Sequence, residues 1–305
     1  MDFREFQTGP NDTGRRLDKV LRIFFPELTL PLIYKNLRKG LIKINGSKSK
    51  PDYRINQDDI IQVADFLVSD KSTTQNSDSN QKLSPELIVF ENEHILILNK
   101  PCGINVHSAK KDEISLQNLV TQYYKETRQD NSLSFRPGPL HRIDKFTQGL
   151  VCFSMSTAGA QWFSRNMKEH KIKKTYSAVV QGKIDKEELW KDKIEKLEVT
   201  GTKFHTMTIN DSDFSDNAKE CITKIVPLES FKIKNDDVTK VIFEIETGRQ
   251  HQIRAQSAYH GFPLYGDIAY GGKKTDEFNG SFYLAAQKIE FPKNELGIPE
   301  KIELK

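Results

Sequence analysis

Three short segments of the chain carry side chains able to do chemistry together. The first is His141-Arg142-Ile143-Asp144-Lys145-Phe146-Thr147-Gln148-Gly149-Leu150. Pro137-Gly138-Pro139 precedes it and an apolar strand follows, so one carboxylate, Asp144, stands on a loop at a strand's edge, a usual place for a reactive group. The same spacing also fits a surface turn in which Asp144 caps backbone and His141 is merely polar. The second segment, Thr247-Gly248-Arg249-Gln250-His251-Gln252-Ile253-Arg254, turns at Gly248 from a strand into a helix beginning near Gln250. One turn in, Arg254 can aim a guanidinium at an acid across a cleft, or be an ordinary exposed arginine. The third, Lys173-Lys174-Thr175-Tyr176-Ser177-Ala178-Val179-Val180-Gln181-Gly182, reads as a strand after a basic helix end, with Tyr176 a core residue on spacing alone.

Other chemistries fit less well. A kinase catalytic loop needs H-R-D, but here the acid comes one residue late, no Asn follows at the right offset, and no glycine-rich phosphate loop or V-A-I-K lysine lies upstream. The seven histidines are scattered, with neither H-E-x-x-H nor a Cys/His ligand cluster. Glycoside hydrolysis calls for two carboxylates, and no second acid stands in a comparable motif.

The elements that must position these residues follow from apolar periodicity. Helices are expected over Arg15–Phe25, Leu32–Leu41, Ser115–Thr127, Ser156–Glu169 with Ser156 as N-cap, and Gln250–His260 closed by Gly261. Pro31 suits the start of the second helix and Gly40 its left-handed end; then Ile42-Lys43-Ile44 enters a turn at Asn45-Gly46. LIVFE and HILILNK read as paired strands, with further strands at Gly149–Ser154, Thr175–Val180, Val238–Thr247 and Phe282–Phe291. Strands and helices mix without a βαβ rhythm, so the expected class is α+β with a mixed, mostly antiparallel sheet.

The chain has 305 residues, room for one large unit and one small one. From Ser69 to Lys82 the run SDKSTTQNSDSNQK offers nothing large to bury and reads as a flexible linker. The expected division is 12–66, linker 67–83, and 84–305. The net charge is only +4, yet Arg15–Lys50 holds ten cations against two acids, so a local excess of +8 marks the small unit as a surface for polyanions. Charged residues reach 29% at a mean hydropathy of −0.60, and no stretch is apolar enough to span a membrane. Three widely spaced cysteines suggest neither disulfides nor a thiolate metal site. With no secretory or transit signal read at the N-terminus, a cytoplasmic protein is expected.

Taken in order, the motifs resemble the RluA-type pseudouridine synthases that modify large-subunit ribosomal RNA, in the subgroup with an N-terminal S4-like RNA-binding domain. The family's H-R-L-D-x-x-T-S-G stands here as HRIDKFTQG, its K-x-Y-x-A-x-V-x-G as KTYSAVVQG, and its T-G-R-T-H-Q-I-R as TGRQHQIR. Asn99 to His107 is similar to N-K-P-x-G-x-x-V-H, and Gly266-Asp267 with Tyr270-Gly271 to G-D-x-x-Y-G. The small unit resembles S4-like modules through RRLDKVL, YKNLRKGLIKING and DDIIQV. Gln148, Gln250, Ile143 and Leu284 depart from the family's usual residues.

The resemblance implies a synthase-type catalytic domain and a reaction that detaches uracil from ribose, turns it and rejoins it through C5, without cofactor or metal. Asp144 becomes the catalytic carboxylate, attacking base or sugar or acting as a base toward the ribose. An acid enclosed with a flipped base tends to protonate, and an ion pair with Arg254 opposes this. Tyr176 becomes the aromatic face for the extruded base, with a hydroxyl able to relay a proton. His141, Arg142, Thr147, Lys174, Arg249 and Gln252 fall at the substrate. RNA is the implied partner, ribosomal before transfer RNA, and a monomer suffices. The competing expectation is an inactive RNA-binding or ribosome-assembly factor on the same scaffold.

Overall fold

A computed structural model describes residues 1–68, 82–108, 113–197, 206–209, 217–278 and 281–305. Most of the run expected to be a linker lies outside these residues.

The N-terminal unit comprises β1 (Phe3–Gln7), α1 (Leu17–Phe24), α2 (Leu30–Lys39), β2 (Ile42–Ile44), β3 (Ser47–Lys48) and β4 (Ile60–Ala64). Its four strands run in the order β1-β4-β2-β3. Leu17, Val20 and Leu21 on α1 and Ile33 and Leu37 on α2 recur at helical spacing and close with Ile42, Ile61 and Val63 over one core. Gly40 ends α2 at φ 72°, the left-handed cap that glycine adopts freely. Ahead of the expected start at residue 12, β1 pairs antiparallel with β4, so the sheet begins at Phe3. Its polar alternation, FREFQ, hid a short edge strand.

The unit rests directly on the larger one. Buried Asp12 accepts hydrogen bonds from the backbone N–H of Leu133 (2.7 Å) and Ser134 (3.0 Å) and from Ser134 Oγ (2.6 Å). Arg15 Nη1 donates to the Ser134 carbonyl at 3.0 Å, and Leu133 completes the small unit's core.

The larger unit is one mixed sheet whose strands, in chain order, are β5 (Ile88–Glu91), β6 (Ile95–Lys100), β7 (Gln148–Ser154), β8 (Lys173–Gln181), β9 (Glu188–Leu197), β10 (Thr206–Thr208), β11 (Lys219–Ile233), β12 (Asp236–Ile245), β13 (Leu284–Glu290) and β14 (Lys301–Glu303). They are arranged β10-β9-β11-β12-β8-β13-β7-β6-β5, with β14 beside β13. Among the described strands only β13 and β7 pair in parallel, which gives the α+β, mostly antiparallel class. Helices α3 (Leu116–Thr127), α4 (Thr157–Lys168) and α5 (Gln252–Tyr259) pack on it.

Both faces of the central strands are buried. Ile95, Ile97, Leu150 and Cys152 join Phe163 of α4, while Leu96, Leu98, Val151 and Phe153 join Leu116 and Val120 of α3. Period-two alternation thus sends one residue to each core, and the strands read as continuous apolar runs. Ser156 caps α4 by accepting from Gly159 N–H at 3.0 Å, worth about 1 kcal/mol.

Candidate active site

Asp144 sits four residues before β7, in a turn closed by Thr147 N–H donating to the Asp144 carbonyl at 3.2 Å. The turn is pinned from below. Buried Lys100, at the end of β6, donates from Nζ to the carbonyls of Pro101 (2.9 Å), Ile104 (2.9 Å) and Lys145 (2.8 Å), and Gly103 N–H donates to the same Lys145 carbonyl at 2.9 Å. Burial pushes the Lys100 ammonium down to about 8, with Cys102 and Asp144 opposing the shift. Gly149 holds φ 105° where β7 starts against β13, and a Cβ there would collide with the Ala286 carbonyl. The glycine of the motif therefore sets how closely the Asp144 loop enters the sheet.

Arg254 lies on α5 with Nη1 3.5 Å from Asp144 Oδ2. Its tighter partner is Asp267: Nε meets Oδ2 at 2.6 Å and Nη2 meets Oδ1 at 2.8 Å. The guanidinium is also sandwiched between the rings of Tyr270 and Phe282, each 4.7 Å away. Burial alone would lower its pKa; the Asp267 hydrogen bonds and charge, then Asp144, raise it instead. Asp267 is 2% exposed and anchors the cation, which leaves one nitrogen for Asp144, itself 21% exposed.

His251 completes the cluster. It occupies the left-handed region at φ 52° just before α5, a conformation costing about 1–2 kcal/mol for an L-residue. That turn carries its Nε2 to 3.6 Å from Asp144 Oδ2 and its Nδ1 to 2.8 Å from the Tyr270 hydroxyl. The hydroxyl accepts from Met207 N–H at 2.9 Å and keeps its own proton to give to Nδ1 when that nitrogen is unprotonated. Burial lowers the His251 pKa, and Arg254 adds to this against the pull of Asp144.

Tyr176 lies mid-strand on β8, opposite Phe243 of β12 and Ala286 of β13. It lines a cavity of about 310 Å³ with Asp144, Thr147, Lys174, Ile253 and Leu284. Burial first, and the Asp144 charge second, raise its phenol pKa, so the ring stays neutral. Lys174, buried on the same strand, has no ion pair among the described residues, and burial lowers its pKa. Arg142 is exposed at the mouth of this cavity and of a second, about 870 Å³, that shares Asp144, His251 and Arg254.

The remaining expected residues divide. Arg249 is exposed, its Nε donating to the Glu220 carbonyl at 3.0 Å. Gln252 is a brace, not a free donor: Oε1 accepts from Thr247 Oγ1 (2.8 Å) and Arg249 N–H (3.0 Å), while Nε2 donates to the Ile222 carbonyl (3.1 Å) and Thr223 Oγ1 (2.9 Å). Such saturation ties the Gly248 turn to β11 and leaves no atom for substrate.

His141 faces inward. Its Nε2 accepts from Cys152 N–H at 3.2 Å, its ring stacks on Phe163, and Nδ1 is buried with no hydrogen-bond partner among the described residues. Burial, then the Lys174 ammonium, pushes the imidazole down to about 3 from 6.5. The unfolded chain therefore binds a proton near pH 6.5 that the folded chain refuses until about pH 3, so stability present above 6.5 is lost as pH falls through that window. His141→Gln is expected to flatten the fall of the urea midpoint on acidification below about pH 6.5. A variant slope as steep as the wild type's would assign the acid sensitivity elsewhere.

Residues 94–259, more than half of the chain, match the family described as RNA pseudouridylate synthase. The chain belongs to that family. Like its relatives, this pseudouridine synthase is an isomerase acting on RNA. It is 28% identical over 297 residues to the "Ribosomal large subunit pseudouridine synthase C" of Rickettsia typhi, covering 95% of this chain and 93% of that protein. The "Uncharacterized RNA pseudouridine synthase YlyB" of Bacillus subtilis is 29% identical over 277 residues, 88% and 82% of the two chains. Among solved structures, "Human RNA Pseudouridylate Synthase Domain Containing 1" aligns with a TM-score of 0.56 at 26% identity, over 71% of this chain and 81% of that one. Among the described residues no helix of the synthase is long and apolar enough to cross a membrane, and no three metal-ligating side chains converge.

Proposed function

We propose that the chain converts uridine to pseudouridine in large-subunit ribosomal RNA, with Asp144 as the catalytic carboxylate. The observation that carries this reading is the 3.5 Å approach of Arg254 to Asp144 in the cavity that Tyr176 lines. The RNA class is supported by the names of the relatives, several of them large-subunit synthases.

Isomerisation breaks the N1–C1′ bond, forms C5–C1′, releases the C5 proton and leaves a proton on N1. Asp144 stands beside the reacting carbons as nucleophile or base. Arg254, itself immobilised by Asp267, favours the carboxylate's negative charge and fixes its direction. The extruded uracil lies on the Tyr176 ring, which replaces part of the stacking it lost. Lys174 and Arg249 border the same cavity and offset charge on the RNA. Lys100 keeps the Asp144 loop in place and touches no substrate.

The S4-like unit, expected over residues 12–66, supplies sequence-tolerant phosphate contacts through exposed Lys19, Arg22, Lys35, Arg38 and Lys39. Replacing Lys35, Arg38 and Lys39 together by Gln is expected to reduce the slope of log affinity against log salt by about 2 to 3, with the site of modification unchanged. An unaltered slope in filter-binding titrations would remove this face from the RNA interface.

To test the substrate assignment, the protein is incubated with unmodified large-subunit ribosomal RNA and, separately, transfer RNA, and pseudouridine is mapped in both. Conversion at one or a few ribosomal positions is expected. Conversion confined to transfer RNA would overturn the assignment and leave the chemistry standing.

A further inference from the structure

The second cavity at Asp144 has a wall that the reaction just described does not use. Phe146, two residues past the carboxylate, is 47% exposed, and Ile268, one residue past the Arg254 anchor Asp267, is 63% exposed. Both line the cavity of about 870 Å³ that also takes in Asp144, Arg142 and Tyr270. Single exposed apolar side chains are ordinary; two on one cavity wall, each within two residues of a member of the charged cluster, are not scattered surface. Other exposed apolar residues, such as Phe66 and Leu228, do not line this cavity.

The backbone beneath Phe146 is held still. Lys100 and Gly103 both bond the Lys145 carbonyl, and the Cys102 thiol points to the Phe146 carbonyl at 3.3 Å. Ile268 opens a short 3-10 turn that ends at Tyr270, whose ring packs on Arg254. The two apolar groups are therefore fixed relative to the carboxylate by the same contacts that position it.

We propose that Phe146 and Ile268 form a stacking platform for the nucleobase adjacent to the target uridine. The inference rests on the reading of Asp144 as the reacting centre. Extruding a uridine bares one face of its neighbour, and the RNA strand must continue from Asp144 into the adjoining open space. An aromatic ring at that point restores part of the lost stacking, and exposed Arg142 meets the intervening phosphate. The contact is with a π-face, so it tolerates any base there. Phe146 is then a residue that touches substrate and helps keep the target uridine out of its stack.

The test uses full-length protein and two single-stranded RNA dodecamers, each with one uridine, carrying the fluorescent base 2-aminopurine on its 5′ or its 3′ side. At saturating protein, one of the two probes is expected to be several-fold dimmer with wild type or Phe146→Tyr than with Phe146→Ala, because stacking quenches it. Affinity for that probe should weaken about tenfold in Phe146→Ala and recover in Phe146→Tyr. Asp144→Asn should keep the quench, so a misassigned catalytic carboxylate would show in turnover and leave this readout intact. Equal fluorescence with wild type and Phe146→Ala on both probes, or no binding of either probe by the wild type, overturns the platform. Circular dichroism of Phe146→Ala should match the wild type, since the ring it removes is half exposed.

Discussion

Asp144→Asn is expected to slow pseudouridine formation by at least about a thousandfold while RNA affinity stays within a few-fold. Asparagine keeps the shape and loses both the nucleophilic oxygen and the base. The fold leans little on the charge, because Arg254 retains its two short bonds to Asp267. The unfolding free energy should therefore change by less than about 1 kcal/mol, which separates lost chemistry from lost structure. Removing a negative charge beside a polyanion can only help binding, so a large loss of affinity in filter-binding assays would argue that Asp144 holds RNA and does not react with it. Turnover near wild-type rates would end its assignment as the catalytic group.

The second large effect concerns the cation. Arg254→Gln leaves Asp144 and almost fully buried Asp267 around a neutral amide, and uncompensating a buried carboxylate costs about 3–5 kcal/mol. Both the urea midpoint and turnover are expected to fall. Asp267→Asn keeps the cation but gives up its charge-assisted fork, so turnover should drop about ten- to a hundredfold with a smaller loss of stability. The double variant Arg254→Gln with Asp267→Asn should regain much of the stability that Arg254→Gln loses, because the uncompensated charge is gone, and regain none of the turnover. Recovery of turnover in the double variant would mean that Arg254 serves the fold alone.

The fold was largely legible in sequence wherever burial imposed a period. Strands β6 and β7 are apolar on both faces, helices α1 to α4 carry apolar stripes, α2 ends on Gly40 while α3 and α4 start on serine caps, and each lies within a few residues of its expected place. Strands β9 and β11 were not anticipated. In ELWKDKIEKL and KECITKIVPLESFKI lysines and glutamates alternate with single buried residues such as Trp190, Ile194, Cys221 and Ile225, so no apolar run announces them. β9 finds its partner β11 only across a long stretch of chain, and β11 turns straight back into β12 with Ile233 opposite Asp236; pairing, and no apolar run, makes both of them strands.

The site shows the same division. Asp144, Arg254 and Tyr176 were named because the motifs that hold them resemble those of the synthase family, and the fold brings them to one cavity. The expected ion pair is present but looser than the one Arg254 makes with Asp267. Gly266-Asp267 and Tyr270-Gly271 were visible as a motif, yet nothing in spacing tells that an acid thirteen positions past an arginine will face its fork. A signal existed in the glycines: Gly266 holds φ 95° against the Ser281 carbonyl, marking a backbone path that must turn sharply to deliver Asp267. His251 gave less warning, since it reaches Asp144 only through a left-handed backbone that histidine adopts at a cost. Gln252 was placed at the substrate from its motif; it lines the Asp144 cavity, and its four internal hydrogen bonds make it a brace there.

Joining C5 of uracil to the ribose must expel the hydrogen that C5 carried, so the chemistry can be read directly from RNA transcribed with uridine tritiated at C5. Wild-type protein is expected to release one tritium to water for each modified uridine, with no free uracil, and Asp144→Asn to release none while still binding the RNA. Release by both proteins at similar rates, or appearance of free uracil in place of tritiated water, would contradict a carboxylate-driven isomerisation at Asp144.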